Sequence, residues 1–292
     1  MEGSVVRAVI VVLALIASVA AGYAAEPLRI VAAENFYGDL AAQIGGSHVA
    51  VTSILSNPDS DPHLFEASAE TARALADAEV VIYNGADYDP WMDRLLSASG
   101  NASRSAIVAG DLMGTKPGDN PHLWYDLRTF PAVAAAFARE LARRDPADAA
   151  EFAANLQKFD AAFAAATAGV ATIKASHAGT KVTATEPVVG YLAAAMGLEM
   201  LNESFQLAAM NDTEPSARDV AGFEDSLTSR TAKILFYNSQ VTDDTSARML
   251  DIARQSGVPV VGVTETEPAG TTIETWFAGQ IDAIAAALGP KP

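Results

Sequence analysis

Two of the four histidines lie directly after prolines in polar stretches of the chain, Asp61-Pro62-His63 and Asn120-Pro121-His122. Proline fixes its own φ and favours extended geometry in the residue before it, so each histidine is expected on a stiff loop. Imidazole is the commonest metal ligand among protein side chains. Two such loops can aim His63 and His122 at one metal ion; the alternative is two unrelated polar loops with solvated histidines.

Acidic residues stand before prolines in the second half of the chain as well, in Glu186-Pro187 and in Glu265-Thr266-Glu267-Pro268. Two imidazoles and two carboxylates form a mixed nitrogen and oxygen set, which is neutral overall once a divalent ion binds. Such a set suits zinc, manganese or iron(II) and contains too much nitrogen for calcium or magnesium. The residues alone leave open which of Glu265 and Glu267 supplies the second carboxylate.

The segments around these residues alternate between short β-branched runs and helical stretches. Strands are predicted at residues 28–33, 49–55, 79–84, 181–185, 199–205, 232–238 and 258–263. Helices are predicted after most of these strands, with Asn35 and Ser68 as expected caps of the first two and the last helix ending near residue 288. This alternation favours parallel sheets, in which ligands bind at the carboxyl ends of the strands.

One long helix is predicted between the two series of strands, at residues 147–175, with a length of about 43 Å. A continuous helix of this length can cross a whole molecule. We therefore predict an α/β fold of two βα domains with parallel sheets, joined by one long rigid helix, with a metal site in the interdomain cleft. The predicted limits are 25–145 for the N-terminal domain, 146–177 for the interdomain helix and 178–292 for the C-terminal domain.

The composition excludes several classes of function. A chain of 292 residues is long enough for two domains with a core each, and its net charge of −17 disfavours binding to nucleic acid or to anionic lipid. The same charge attracts cations. Because the chain contains no cysteine, disulfides, thiolate metal sites, cysteine nucleophiles and lipid attachment through an N-terminal cysteine are all excluded.

Residues 1–24 have the pattern of a secretory signal peptide. Arg7 supplies a basic start, residues 8–21 are almost wholly apolar, and Gly22-Tyr23-Ala24 offers small residues before a cleavage point. The apolar run is shorter than the roughly 20 residues that a membrane-spanning helix needs. We expect an exported mature protein that is not anchored to a membrane.

The motifs in combination resemble those of the ZnuA/TroA-like solute-binding proteins of zinc and manganese ABC importers. The matching stretches are Asp61-Pro62-His63 with Phe65-Glu66, Asn84-Gly85 with Trp91, Asn120-Pro121-His122-Leu123-Trp124, Glu186 with Gly190-Tyr191-Leu192, and Gly257-Val258 with Glu267-Pro268-Ala269-Gly270. The resemblance follows the chain in order and implies one metal ion in the cleft between two domains. Carried over position by position, it makes His63, His122, Glu186 and Glu267 the metal ligands.

The resemblance also implies a function. The protein would be no enzyme, but would capture a divalent transition metal (zinc or manganese, or iron) in the periplasm as a transported ligand. Its partners would be the membrane permease of an ABC importer and the cytoplasmic ATPase, and it would act as a monomer without nucleic acid. The alternatives are a metal-dependent hydrolase, which needs an open position for water, and a binding protein or adhesin for a non-metal ligand.

Several positions depart from the family pattern. Glu186 stands where zinc-preferring members often have histidine, as in manganese-type members. Glu267 is one methylene longer than the usual aspartate, and Asn238 stands where relatives often have glutamate. The histidine-rich loop of many zinc members is absent between His63 and His122. These departures bear mainly on the choice of metal.

The other two histidines and two of the tryptophans are given ordinary structural roles. His48 is expected to be solvated at the start of a strand. His177 is expected at the end of the long helix, where a cation favours the helix dipole. Trp91 and Trp124 are expected in the core or in the walls of the cleft.

Overall fold

The computed structural model describes residues 26–57, 62, 65–116, 118–211, 213–241 and 243–290. The predicted signal peptide and His63 lie outside the described residues. No helix within the described ranges combines the length and the apolar character that crossing a bilayer requires.

The first half of the chain forms a four-stranded parallel sheet. Its strands are β1 Leu28–Glu34, β2 Val49–Leu55, β3 Val80–Tyr83 and β4 Ser105–Val108, in the order β2-β1-β3-β4. The three predicted strands are confirmed, whereas β4 was missed because its four residues begin with serine and alanine and carry little strand signal. The helices of this half are α1 Asn35–Gly45, α2 Ala69–Asp77, α3 Pro90–Ala98 and α4 Ala109–Met113.

The residues that begin these helices agree in part with the caps predicted from the sequence. Ser68 caps α2 as predicted, because its side chain accepts a hydrogen bond from the backbone nitrogen of Thr71. Pro90 is the first residue of α3, where its missing N–H costs no hydrogen bond. The prediction for Asn35 was wrong: the cap position is Glu34, and Asn35 is already the first helical residue.

A pair of long helical segments joins the halves after α5 Thr129–Arg144. The predicted long helix is confirmed as α6 Ala149–Thr167 and α7 Gly169–His177, with Ala168 between them in helical dihedral angles. At this point a Cβ on Gly169 would lie only 2.8 Å from a methyl group of Ile281 in the last helix of the chain. Glycine therefore allows α7 to cross close to the last helix. Its low helix propensity also weakens the helix at the junction of α6 and α7. His177 is the last helical residue, as predicted.

The second half repeats the arrangement of the first. Its parallel strands are β5 Lys181–Ala184, β6 Glu199–Leu201, β7 Leu235–Asn238 and β8 Val260–Val263, in the order β6-β5-β7-β8. Its helices are α8 Gly190–Ala195, α9 Glu203–Met210, α10 Ala217–Thr228, α11 Asp244–Ser256 and α12 Ile273–Leu288.

The strand predicted at 199–205 is wrong beyond Leu201. Asn202 has a φ of 59°, which turns the chain into α9. Its side-chain amide donates to the hydroxyl oxygens of Thr183 and Ser226 at 3.0 Å, and these bonds hold the turn in place. Met200, Leu201 and Phe205, the apolar residues of this stretch, suit either a strand or a helix, and only this tertiary contact decides between the two.

The two sheets share one hydrophobic core. Phe36 at the start of α1 packs on Trp124 with ring centroids 5.2 Å apart and on Trp276 of α12 at 6.0 Å. Tyr125 lies 5.7 Å from both Trp276 and Phe277. Trp91 and Trp124 are buried, as predicted. Aromatic rings from both halves thus interlock beneath the cleft, so the sheets are not connected by the long helix alone.

Candidate metal site

The polar residues of the site lie where strands of the two sheets end. Glu186 follows β5, Asn238 ends β7, and Glu265 comes two residues after β8. On the other side, His122 immediately precedes a 3-10 turn, Leu123–Tyr125, and its loop faces the second half of the chain. All four side chains are buried. The carboxyl ends of parallel strands meet at one edge of a sheet, which brings residues distant in sequence together.

The orientation of the His122 ring is determined by Asn120. The amide nitrogen of Asn120 donates to the carbonyl of Pro187 at 2.7 Å, so its oxygen is the atom that faces His122. That oxygen accepts from the backbone nitrogen of His122 at 3.0 Å and lies 2.6 Å from Nδ1. Nδ1 therefore carries the hydrogen, and Nε2 presents a lone pair, as in an imidazole prepared for metal binding.

The loop of His122 is anchored from the first sheet as well. Asn84, which follows β3, donates from its amide nitrogen to the carbonyl of Pro121 at 2.8 Å, and its oxygen accepts from the hydroxyl of Tyr37 at 3.1 Å. Sequence analysis identified Asn84 and Asn120 only as parts of motifs. Two features of the sequence could have indicated these supporting roles: Asn84 lies at the end of a predicted strand, and Asn120 lies two residues before the candidate ligand His122.

Nε2 of His122 lies 3.7 Å from Oε2 of Glu265, and both side chains are at most 1% exposed. Among the described residues, this nitrogen has no hydrogen-bond partner. A lone pair and a carboxylate that face each other in a buried site are stabilised by a cation or a proton between them.

Asn238 connects Glu265 with Glu186. Its amide nitrogen donates to Oε2 of Glu186 at 2.7 Å and to Oε1 of Glu265 at 2.5 Å. The structure therefore brings together His122, Glu265 and Glu186. The predicted role of His63 cannot be placed, because that residue lies outside the described ranges.

Glu267 lies next to this group but has other neighbours. Burial, and then the charges of Asp39 and Glu274, raise the pKa of the Glu267 carboxyl group to about 8. The backbone carbonyl and the backbone nitrogen of Glu267 both form hydrogen bonds with the side-chain amide of Asn35 in α1. Of the two carboxylates that the sequence left open, Glu265 is thus the one that faces His122, and Glu267 lies among the acidic residues of the domain junction.

A second buried pair of carboxyl groups stands behind the site. Burial raises the pKa of Glu34, the last residue of β1, well above its usual range, and raises the pKa of Asp89 to about 7. Asp89 accepts hydrogen bonds from the backbone nitrogens of Asn84 and Gly85 at 2.8 and 2.7 Å, which favour its charged form. The proton of the pair therefore resides on Glu34.

His48 lies at the opposite ends of the strands, and it is not simply solvated as expected. Its ring nitrogens lie 3.4 Å from carboxylate oxygens of Asp148 and Glu151 and 3.7 Å from one of Asp145. The ring packs edge-on against Phe152 at 5.3 Å. These contacts tie the start of β2 to the start of α6.

The sequence of the whole fold matches one family profile. The profile of ZnuA, described as the periplasmic component A of the zinc-uptake complex, matches residues 30–287. The chain belongs to this family. Two four-stranded parallel sheets, joined by a long helix with a candidate ligand set between them, are therefore the ZnuA-family architecture in this protein.

Individual relatives agree with this assignment. The manganese-binding lipoprotein MntA of Bacillus subtilis is 34% identical over 109 residues, which are 35% of this chain and 35% of that protein. Across the first curated relatives that it matches, this chain spans between about a third and a half of their length (35% to 49%). These matches cover parts of the relatives, so their activities are not transferred whole.

Solved structures agree with the fold over nearly the whole chain. The periplasmic zinc-binding protein TroA of Treponema pallidum superposes with a TM-score of 0.73 at 22% identity, over 90% of this chain and 99% of that one. A manganese-bound mutant of a periplasmic metal-binding protein from Candidatus Liberibacter asiaticus has a TM-score of 0.72 at 16% identity, over 89% and 98%. At these identities the similarity establishes the fold.

Proposed function

We propose that this ZnuA-family protein is the solute-binding component of an ABC importer for a divalent transition metal. It captures zinc or manganese in the cleft between its sheets and delivers the ion to a membrane permease, which is driven by a cytoplasmic ATPase. The ion is cargo, not a catalytic cofactor. The observation that carries the proposal is the buried lone pair of His122, which faces the carboxylate of Glu265 at 3.7 Å.

The proposed ligands are His122 and His63 from the first half and Glu186 and Glu265 from the second. Glu265 is preferred to Glu267, the position that the family resemblance marked, because His122 and Asn238 both contact Glu265. His63 is included because it repeats the proline–histidine pattern of His122. Two ligands from each half would let the ion join the two halves of the molecule.

The ligand set supports transport over hydrolysis. A catalytic zinc site keeps one position for water, whereas four protein ligands complete a tetrahedral shell. Two imidazoles and two carboxylates can bind zinc, manganese and iron(II). The affinity of a given site generally increases from manganese to iron(II) and is higher still for zinc. Tight zinc binding alone therefore does not identify the imported metal.

The proposed setting is the periplasm. The ZnuA profile describes a periplasmic component, and residues 1–24 have the pattern of a signal peptide. The relative MntA, named above as a lipoprotein, differs in this respect, because this chain has no cysteine to carry a lipid. We propose a monomer that is free of the membrane, with the domain limits predicted from the sequence at 25–145, 146–177 and 178–292.

Competitive titration of the metal-stripped protein tests the proposal. Native mass spectrometry should show one zinc, manganese or iron(II) ion per chain, held without hydrolytic activity toward ester and peptide substrates. The His122→Ala variant should lose the ion and keep its circular dichroism spectrum, while His177→Ala, at the far end of α7, serves as the matched control. A wild-type protein that binds none of the three metals would exclude both the importer and the hydrolase.

A further inference from the structure

A second group of metal-ligand side chains lies at the opposite ends of the strands from the cleft. His48 ends the 3-10 turn Gly46–His48, directly before β2, while Asp148 and Glu151 stand at the start of α6. One ligand atom from each of these three residues lies within 4.8 Å of the other two. Asp145 adds a further carboxylate beside the ring. The group combines an imidazole with carboxylates and shares no residue with the cleft site.

The spacing of these atoms fits a bound ion better than it fits hydrogen bonds. Nδ1 of His48 lies 3.4 Å from a carboxylate oxygen of Asp148, and Nε2 lies 3.4 Å from one of Glu151. Hydrogen bonds from N–H to oxygen usually span about 2.7–3.2 Å. Two ligands of a tetrahedral zinc ion, each about 2.0–2.2 Å from the metal, lie about 3.3–3.6 Å apart. Whichever ring nitrogen binds an ion, its nearest carboxylate therefore already stands at the separation of neighbouring ligands.

The ring of His48 is held in position on its apolar and its polar sides. It packs edge-on against Phe152 of α6, which is fully buried. The amide nitrogen of Asn155 donates to the carbonyl of Ile44 at 3.1 Å and so fixes the end of α1, next to the turn, against α6. Metal-bound histidines usually donate the hydrogen of the other ring nitrogen to a carboxylate, which orients the ring. Because both ring nitrogens of His48 face carboxylates, this partner is present here.

The position of the carboxylates at a helix start does not explain their approach to a histidine. An aspartate at the N-cap usually accepts a hydrogen bond from the first turn, yet Asp148 holds that position of α6 without such a bond. Within the described ranges, no lysine or arginine forms an ion pair with Asp145, Asp148 or Glu151. Three carboxylates thus face one imidazole, which neutralises at most one of their charges. A divalent cation among them would offset the repulsion that remains.

We propose that His48, Asp148 and Glu151 form a second zinc site, separate from the cleft, which fills only in excess zinc. The imidazole nitrogen favours zinc over calcium and magnesium, which prefer oxygen ligands. The site is weaker than the cleft because the side chains of Asp148 and Glu151 are 41% and 52% exposed, so water competes with them for the ion. A bound ion links the start of β2 to the start of α6. It therefore stabilises the first half of the molecule, and it is not the transported ion.

Zinc titration of the untagged, metal-stripped protein tests the proposal, with native mass spectrometry as the readout. The wild type should bind one ion at one equivalent of zinc and a second ion in excess zinc. His48→Ala should lose the second ion and keep the first, whereas His177→Ala, the matched histidine control, should keep both. Glu151→Gln should weaken the second ion at least about tenfold. Its control is Glu70→Gln, which removes an exposed carboxylate from the first turn of another helix, α2, and should leave the second ion in place.

The outcomes separate this site from the proposed importer function. If His48→Ala retains every zinc ion that the wild type binds, the second site is overturned and the cleft is unaffected. If His122→Ala binds zinc as the wild type does, the cleft proposal fails, and loss of an ion in His48→Ala still supports the second site. Circular dichroism checks the fold of each variant, and Glu151→Gln replaces His48→Ala if the latter does not fold. Anomalous diffraction at the zinc edge, from wild-type crystals grown in excess zinc, needs no variant: a peak beside His48 is expected, and its absence would contradict the proposal.

Discussion

Asn35 and Glu267, 232 positions apart in the chain, are joined by two hydrogen bonds. The amide nitrogen of Asn35 donates to the carbonyl of Glu267 at 2.7 Å, and the backbone nitrogen of Glu267 donates to the amide oxygen at 2.9 Å. Further along the same face of α1, Asp39 accepts from the backbone nitrogen of Ile273 at 3.0 Å. The segment that carries Glu265 is thus held by a helix of the other half.

The first prediction is that Asn35→Ala weakens both folding and metal binding. The loss of two hydrogen bonds should lower the free energy of unfolding by about 1–3 kcal/mol, measured by urea denaturation without metal. Zinc affinity should also fall, because the Glu265 segment is no longer held in place. Asn101→Ala is the matched control, since Asn101 also donates twice to backbone carbonyls, but within one half. An unchanged zinc affinity in Asn35→Ala would show that this contact is only structural.

The second prediction distinguishes Glu265 from Glu267. Glu265→Ala should reduce zinc affinity by more than about 100-fold, the upper range for residues outside the ligand shell. Glu267→Ala should bind zinc nearly as the wild type does, because its carboxyl group lies beside Asp39 and Glu274. The two variants remove the same group from positions two residues apart, so each controls for the other. The opposite ranking in isothermal titration would identify Glu267 as the ligand.

The third prediction concerns the pH dependence of stability. Burial raises the pKa of Glu267 from 4.5 to about 8, so between these values the folded state binds a proton that the unfolded state has released. Stability is therefore lost as the pH rises through this window. Glu267→Gln should remove this contribution and reduce the decline of the melting temperature between pH 5 and pH 8. Parallel melting curves for the variant and the wild type would argue against a protonated Glu267.

The fourth prediction is that metal binding moves the domains only slightly. The helices α6 and α7 and the shared aromatic core, in which Phe36 contacts Trp276, both resist wide hinge opening. We predict that metal instead slows hydrogen exchange near residues 57–66, 119–125, 186–191 and 264–270. Small-angle solution scattering tests this prediction. A large decrease in the radius of gyration on zinc addition would show that the domains close about a hinge and would contradict it.

Much of the architecture follows from the sequence because it depends on local properties. The alternation of β-branched runs with helical stretches determines two parallel sheets, and Asp145-Pro146 precedes the long helix that the apolar periodicity predicts. The proline before His122 marks a stiff loop at the cleft, and the resemblance to the ZnuA family follows from motifs of this kind. Short β4 and the turn at Asn202 were missed, because their local signals are weak or ambiguous.

The tertiary structure alone decided which groups meet. Glu265 and Glu267 occur in one acidic segment, and no periodicity separates them, because the chain has left β8 and no longer alternates between two faces. Only the approach of His122 from the other half distinguishes them. Asparagine is a residue type typical of helix caps, yet the side-chain amide of Asn35 forms its hydrogen bonds with the backbone of Glu267. Local pattern specifies helices, strands and stiff loops, whereas pairing across 232 residues depends on how the two sheets pack together.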